Sequence, residues 1–397
     1  MSRFKVYSPD QAYLLPPSVR DELGADHLCF FVRGVIERLD LSVFEQSYSA
    51  EGGELYAPQL MLGVWLYAYA LGLTSARQVS RRLVEDLAFR YLGAGQRVDN
   101  WTLSAFRRRH RRALNDVFTQ VLELAQGRGM VKLGRVGIDS TRIAANASKD
   151  RIDTVQAVRN TRAALRRQVR EWQKQADRDD LEPGGLEVAI GELNKALAEM
   201  PRRLQRLEKS GLKKLSRTDE DARFLRRRGG FVLGYSAEIA VSDDHFIVAQ
   251  RVTQNATDNE SLVPMVEQVE KRCGAPPGAA LADSGFFSID NLKQMEKRRI
   301  DAYIPDSNMA QALNLGTRCR TRACQRVHRR MRAKLRSPDG QAAYARRKAV
   351  AEPPFGVLKQ QRGMRQFRTR GLNNVENEFT LATLAYNITR LHVLGAA

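Results

Sequence analysis

Three carboxylates carry the first chemical signal. Asp139 follows the apolar run Gly134-Arg135-Val136-Gly137-Ile138, and Asp283 follows Ala279-Ala280-Leu281-Ala282. A serine comes directly after each acid. Both runs read as short buried strands. An acid ending such a strand is poorly solvated and calls for a cation or a hydrogen-bond donor. The third acid is Glu352, in Ala351-Glu352-Pro353-Pro354-Phe355. A residue before proline disfavours the α region, so Glu352 is expected at a kink or at the start of a new helix. There its carboxylate would meet the positive helix end, with Lys359, about two turns on, along the same face. Three such acids could hold two Mg²⁺ (or Mn²⁺) ions about 3.5–4 Å apart, one activating an attacking oxygen and one stabilising the leaving oxygen. That chemistry requires the two aspartates on neighbouring strands.

The elements that would position these acids follow in the same pattern. Phe231–Val241 and Phe246–Val252 read as a strand pair turning at Asp243-Asp244. A helix over about 260–271, the Asp283 strand, a helix over about 289–297 and a short strand at 301–305 complete a β-β-β-α-β-α-β-α order, which implies a mixed sheet. Between the Asp139 strand and that pair, 150–228 shows two heptad-like runs. Val155, Val158, Leu165, Val169 and Trp172 form one, and Ile190, Leu193, Leu197, Met200, Leu204 and Leu207 the other. Joined through Glu182-Pro183-Gly184-Gly185, they predict an inserted antiparallel helical hairpin.

Charge names the class of partner. The 397 residues carry 65 Lys+Arg against 45 Asp+Glu, a formal net charge of +20, while 43% of residues are hydrophobic. A folded chain this basic points to a polyanion. The absence of any apolar run of about 18 residues argues against a membrane, and a cytoplasmic, nucleoid-associated protein is expected. Cys29, Cys273, Cys319 and Cys324 are too few and too irregular for a disulfide framework. Residues 1–25 read as an extended arm. Residues 26–130 read as a compact helical, helix-turn-helix-like unit ending in one long helix, capped by Asn100 or Thr102 and running to about Arg128. Its arginines Arg107, Arg108, Arg109, Arg111 and Arg112 are expected on DNA phosphates. A second basic block, 318–336, holds nine Lys/Arg and no acid, and is expected to order only on nucleic acid.

With these residues assembled, the chain resembles bacterial insertion-sequence transposases of the DDE type, in the group with a Tyr-Arg-Glu-Lys signature. The resemblance rests on Gly137-Ile138-Asp139-Ser140-Thr141, Gly229-Gly230-Phe231, Gly234-Tyr235, Thr257-Asp258, Ala282-Asp283-Ser284-Gly285-Phe286-Phe287, Glu352-Pro353-Pro354-Phe355-Gly356 and Leu384-Ala385-Tyr386-Asn387. It implies an α/β fold, a ribonuclease H-like mixed sheet flanked by helices (131–149 and 229–397). An all-helical DNA-binding domain would precede it, and the 150–228 hairpin would interrupt it. It further implies Asp139, Asp283 and Glu352 as catalytic metal ligands, and Tyr344, Arg347 and Lys359 as phosphate contacts. Four residues separate Arg347 from Glu352 where the pattern has three, so Arg346 is the alternative. The implied activity is strand cleavage and strand transfer at terminal inverted repeats by a homodimer on double-stranded DNA. A catalytically inactive DNA-binding regulator and a related nuclease are the competing expectations.

Overall fold

The structure is a computed structural model that describes residues 18–48, 55–176, 184–227, 229–317, 319, 323 and 325–395. The first seventeen residues of the expected arm lie outside the described residues. The chain divides into two compact units, Met1–Lys132 with Thr380–Ala397, and Leu133–Phe379.

The first unit is helical: α1 (Leu28–Ile36), α2 (Ser42–Glu45), α3 (Pro58–Ala70), α4 (Ala76–Glu85), α5 (Leu87–Leu92), α6 (Asn100–Arg109) and α7 (Arg111–Gly127). α3 is apolar on every side and therefore central, with Trp65 fully buried and its indole N–H donated to the Leu103 carbonyl. The long helix expected over 100–128 is in fact two. His110 leaves helical geometry (φ −102°, ψ 46°) and is buried, with its ring nitrogens 3.2 Å from Ser47 Oγ and 2.8 Å from Tyr48 Oη. The break turns a polar ring into the core and satisfies it there, which periodicity does not reveal. The N-cap is Asp99, whose carboxylate accepts from the amides of Trp101 (2.7 Å) and Thr102 (2.9 Å), rather than Asn100 or Thr102.

The second unit is built on β1 (Arg135–Ala144), β2 (Ile152–Asp153), β3 (Leu215–Ser216), β4 (Arg223–Arg227), β5 (Gly230–Ser242), β6 (Ile247–Thr253), β7 (Ala279–Ala282) and β8 (Asp301–Tyr303). β5 runs antiparallel to β1, β4 and β6, whereas β1–β7 and β7–β8 are parallel. The result is the expected mixed sheet flanked by helices. Its helices are α8 (Val155–Ala176), α9 (Gly184–Ser210), α10 (Leu262–Cys273), α11 (Ile289–Lys297), α12 (Ser307–Leu315), α13 (Arg326–Arg336), α14 (Pro338–Gly356) and α15 (Leu372–Gly395). α15 continues past Phe379 into residues assigned to the first unit.

α8 packs on α9, and the small β2–β3 ladder closes their base. The buried Arg203 guanidinium grips the Asp153 carboxylate there, with Nε 3.0 Å from Oδ2. Of the expected connecting turn, Glu182 and Pro183 lie outside the described residues, and Gly184-Gly185 already belong to α9.

Two expectations are corrected. The basic block is not without structure where it is described. His328, Arg332 and Leu335 form a buried stripe on α13, and Arg332 clasps Asp306 with bonds of 2.7 and 2.8 Å while His328 lies 2.9 Å from the same carboxylate. An acid outside the block, at the N-cap of α12, supplies the neutralisation. Glu352 does not open a helix. α14 passes through Pro353 and Pro354 to Gly356, and a π-helical turn (Val357–Gln361) follows. Burial of Val350, Ala351, Pro354 and Phe355 outweighs the amide bonds that the prolines remove. Glu352 therefore sits in the last turns of a helix and not at the positive end of its own helix.

Candidate active site

Asp139 lies in the middle of β1 rather than at its end. Its neighbour Ile138 pairs with Ala282 of the parallel strand β7, one residue before Asp283. The register thus sets the two aspartates side by side on adjacent strands. α14 crosses the same strand closely, because a Cβ on Gly137 would stand 3.1 Å from Val350 Cγ1 and 3.3 Å from Ala351 Cβ. A side chain at this position would press on the helix that bears Glu352 and push it outward by a few tenths of an ångström or more.

The electrostatics follow from this packing. The Asp139 side chain retains 17% of its exposure. Its carboxyl is pushed up from 3.8 to about 6, first by burial and then by the Asp283 charge, with Glu352 adding to the rise. The Arg347 guanidinium, 3.9 Å from Asp139 Oδ2, and the Ser140 amide, which donates to Oδ1 at 2.8 Å, oppose it. Asp283 caps the 3₁₀ turn Ser284–Phe286 by accepting from the Gly285 amide at 2.8 Å. Glu352 is exposed. The acids therefore share one field, although among the described residues no three His, Cys, Asp or Glu side chains stand close enough to hold a metal ion as they are.

The remaining expected residues gather at the same place. The Arg347 guanidinium lies 5.8 Å from the centre of the Tyr344 ring. Burial raises the Tyr344 phenol. Lys359, on the π-helical turn, donates to Thr141 Oγ1 and to the Arg142 carbonyl (3.2 Å). Burial, followed by repulsion from Arg227, holds its ammonium down to about 8. Arg346 points elsewhere, with Nε 3.3 Å from Asp243 Oδ1. Of the two candidates, Arg347 is the one that reaches Asp139.

Sequence reading did not single out Arg142. Its guanidinium donates to Ser236 Oγ, to Asp258 Oδ1 (3.0 Å) and to the Ala256 carbonyl (3.2 Å). Asp258 in turn stands close to Asp283, since a Cβ on Gly285 would lie 3.2 Å from Asp258 Oδ2 and 3.0 Å from Asp283 Oδ1. The signal was partly present, because Thr257-Asp258 lies in a family-like segment, but nothing in the spacing pairs it with Arg142.

The arginine run of the first unit is not uniform. Arg108, Arg109, Arg111 and Arg112 are exposed, and Arg109 lies 4.5 Å from the Tyr48 ring centre. Arg107 is 4% exposed; it donates to Tyr69 Oη (3.0 Å) and to the Thr74 carbonyl (2.8 Å) and lies over the Trp65 ring. The expectation that Arg107 meets DNA is thereby corrected: its position faces the core, and its guanidinium is used in joining helices.

Comparison with protein families finds two matches, a Transposase DDE domain over residues 201–388 and a Transposase domain (DUF772) over 17–109. The first spans Asp283, Tyr344, Arg347, Glu352 and Lys359, while Asp139 precedes it. No curated protein and no solved structure matches the chain.

Proposed function

This chain belongs to the insertion-sequence DDE transposases, and within that family we propose that it cuts and joins DNA strands at the terminal inverted repeats of its element. The observation that carries this reading is the state of Asp139. Its carboxyl, beside Asp283 on the neighbouring strand, is pushed up to about 6 first by burial and then by the Asp283 charge, with Glu352 adding a little, and so is a negative pole without enough positive charge. Those acids stand 144 and 213 positions further along the chain. The donor chemistry, hard carboxylate oxygens alone, fits Mg²⁺ or Mn²⁺.

Asp139, Asp283 and Glu352 are the residues that would hold the ions, Glu352 closing from its exposed position. When bound, a pair of divalent cations supplies a lower pKa for the attacking oxygen and counter-charge for the leaving one. The protein's own groups do the rest. Arg347 faces the phosphate from beside Asp139 and is steadied by the Tyr344 ring. Lys359, fixed through Thr141, offers a second cation to the non-bridging oxygens. Water serves as nucleophile for cleavage and the freed 3′-hydroxyl for joining, both by in-line attack at phosphorus. The mixed sheet supports a ribonuclease H-like assignment for this domain. The exposed arginines Arg108, Arg109, Arg111 and Arg112 are read as contacts to repeat DNA, and paired ends call for a homodimer on DNA.

The test uses the full chain with a duplex carrying the inverted repeat that borders this reading frame. Wild-type protein should nick the repeat end only with Mg²⁺ or Mn²⁺. Asp139→Ala and Asp283→Ala should bind the duplex but leave it intact. Nicking that survives in either variant overturns the site. Binding without nicking by the wild type leaves a DNA-binding regulator instead.

A further inference from the structure

The hairpin β4–β5 carries a feature that the cleavage reading does not use. It closes between Arg227 and Gly230, which are cross-strand partners, as are Arg226 and Phe231. An aromatic ring and a guanidinium thus emerge together from the edge of the sheet. Phe231 is 64% exposed, an unusual place for a phenyl ring unless something covers it. Together with Arg142, Gly229 and Ala256, these residues line an open cleft of about 720 Å³.

The charge of this cleft is unbalanced. Arg142 is already matched by Asp258 at 3.0 Å. Among the described residues, Arg226 and Arg227 have no ion pair or side-chain hydrogen bond. Further cations surround them: Lys149 Nζ donates to the Phe231 carbonyl at 3.3 Å, and Arg227, Arg365 and Arg142 all act repulsively on Lys359. At Gly229 and Gly230 a side chain would project into open space, so the bare backbone lets a ligand approach the hairpin closely. Like charges held together beside an exposed ring match a nucleic-acid strand, with phosphates on the cations and an apolar face on the ring.

We propose that the Arg226–Arg227–Phe231 cleft is a second DNA subsite, taking backbone phosphate of the strand that runs past the acids, with Phe231 against the adjoining nucleotide. The proposal rests on the reading of the chain as a DNA-cleaving transposase. It adds that the grip on DNA extends from Lys359 across Arg142 to the hairpin tip. All the cleft-lining residues named lie outside the acidic triad and the Tyr344–Arg347 pair.

The experiment measures equilibrium binding of the full chain to a fluorescent repeat duplex in EDTA, across a salt series. Arg226→Gln/Arg227→Gln should weaken binding about tenfold at ~150 mM salt. It should also flatten the plot of log K against log salt by about 0.9 for each phosphate that is no longer neutralised. Phe231→Ala should weaken binding severalfold with the salt slope unchanged, as expected for a stacking interaction. Lys293→Gln/Lys297→Gln, on the exposed face of α11, removes the same charge and should keep the wild-type slope. A double arginine variant that matches either the wild type or this control overturns the subsite. If the wild type neither binds nor nicks the repeat, the transposase reading fails and the subsite with it. If the wild type does both and the arginine variant binds equally well, only the subsite fails.

Discussion

Replacing Asp139 by asparagine should stabilise the metal-free protein while abolishing cleavage. The carboxyl is displaced from 3.8 to about 6, and each tenfold change in proton affinity corresponds to about 1.4 kcal/mol. Ionised Asp139 therefore costs the fold up to about 3 kcal/mol at neutral pH. Solvent reaching the 17% of the side chain that remains exposed screens part of this, so about 1–3 kcal/mol is expected. The sign follows from linkage. The folded state holds this proton more tightly than the unfolded state, so the penalty is absent below about pH 4. It grows as pH rises towards 6 and is complete above. Asparagine keeps the oxygen that accepts from the Ser140 amide and removes the charge. Chemical denaturation in EDTA between pH 4 and 8 should show the wild type losing stability across that window relative to Asp139→Asn. Added Mg²⁺ or Mn²⁺ should stabilise the wild type at pH 7.5 and leave the variant unmoved. A variant that is less stable than the wild type at pH 7.5, or that shows the same pH slope, refutes the reasoning, because Asp139 would then be a satisfied structural acid.

Gly137→Val should overpack the contact with Val350 and Ala351, lowering stability by about 1–3 kcal/mol and displacing the helix that carries Glu352; thermal melting paired with the nicking assay checks it, and wild-type nicking by this variant would refute the close crossing. Arg107→Leu should cost about 2–4 kcal/mol by removing the buried guanidinium that bonds the Tyr69 hydroxyl and the Thr74 carbonyl. The neighbouring Arg108→Gln should stay within about 0.5 kcal/mol of wild type by denaturation and instead weaken repeat binding; equal stability losses in the two variants would refute the assignment of one arginine to the core and one to the surface.

The acids could be read directly because of how strands handle charge. A carboxylate next to Val136-Gly137-Ile138 or Leu281-Ala282 has few ways to be solvated, so its presence there marks a candidate site. The β5–β6 hairpin, α11 and the mixed sheet were legible for a similar reason, since a period of two or of three to four directly records which face is buried. The basic character of the chain was visible as composition alone. Each of these is local or summed information, and the sequence by itself determines it.

Tertiary structure decided what depends on partners distant along the chain. Arg107 and Arg108 are indistinguishable as letters, and only the packing of α6 against Trp65 and Tyr69 turns one inward. Arg347 rather than Arg346 meets Asp139 because α14 lies on β1 at Gly137, a crossing that fixes the helix rotation. The prolines after Glu352 favoured a break, yet burial of the residues around them kept the helix whole. Asp306 ordered a helix that its own composition would leave repelling itself. In each case local preferences differ by about 1–3 kcal/mol, which burial of a few side chains exceeds. The choice therefore passes from the sequence to the packed fold.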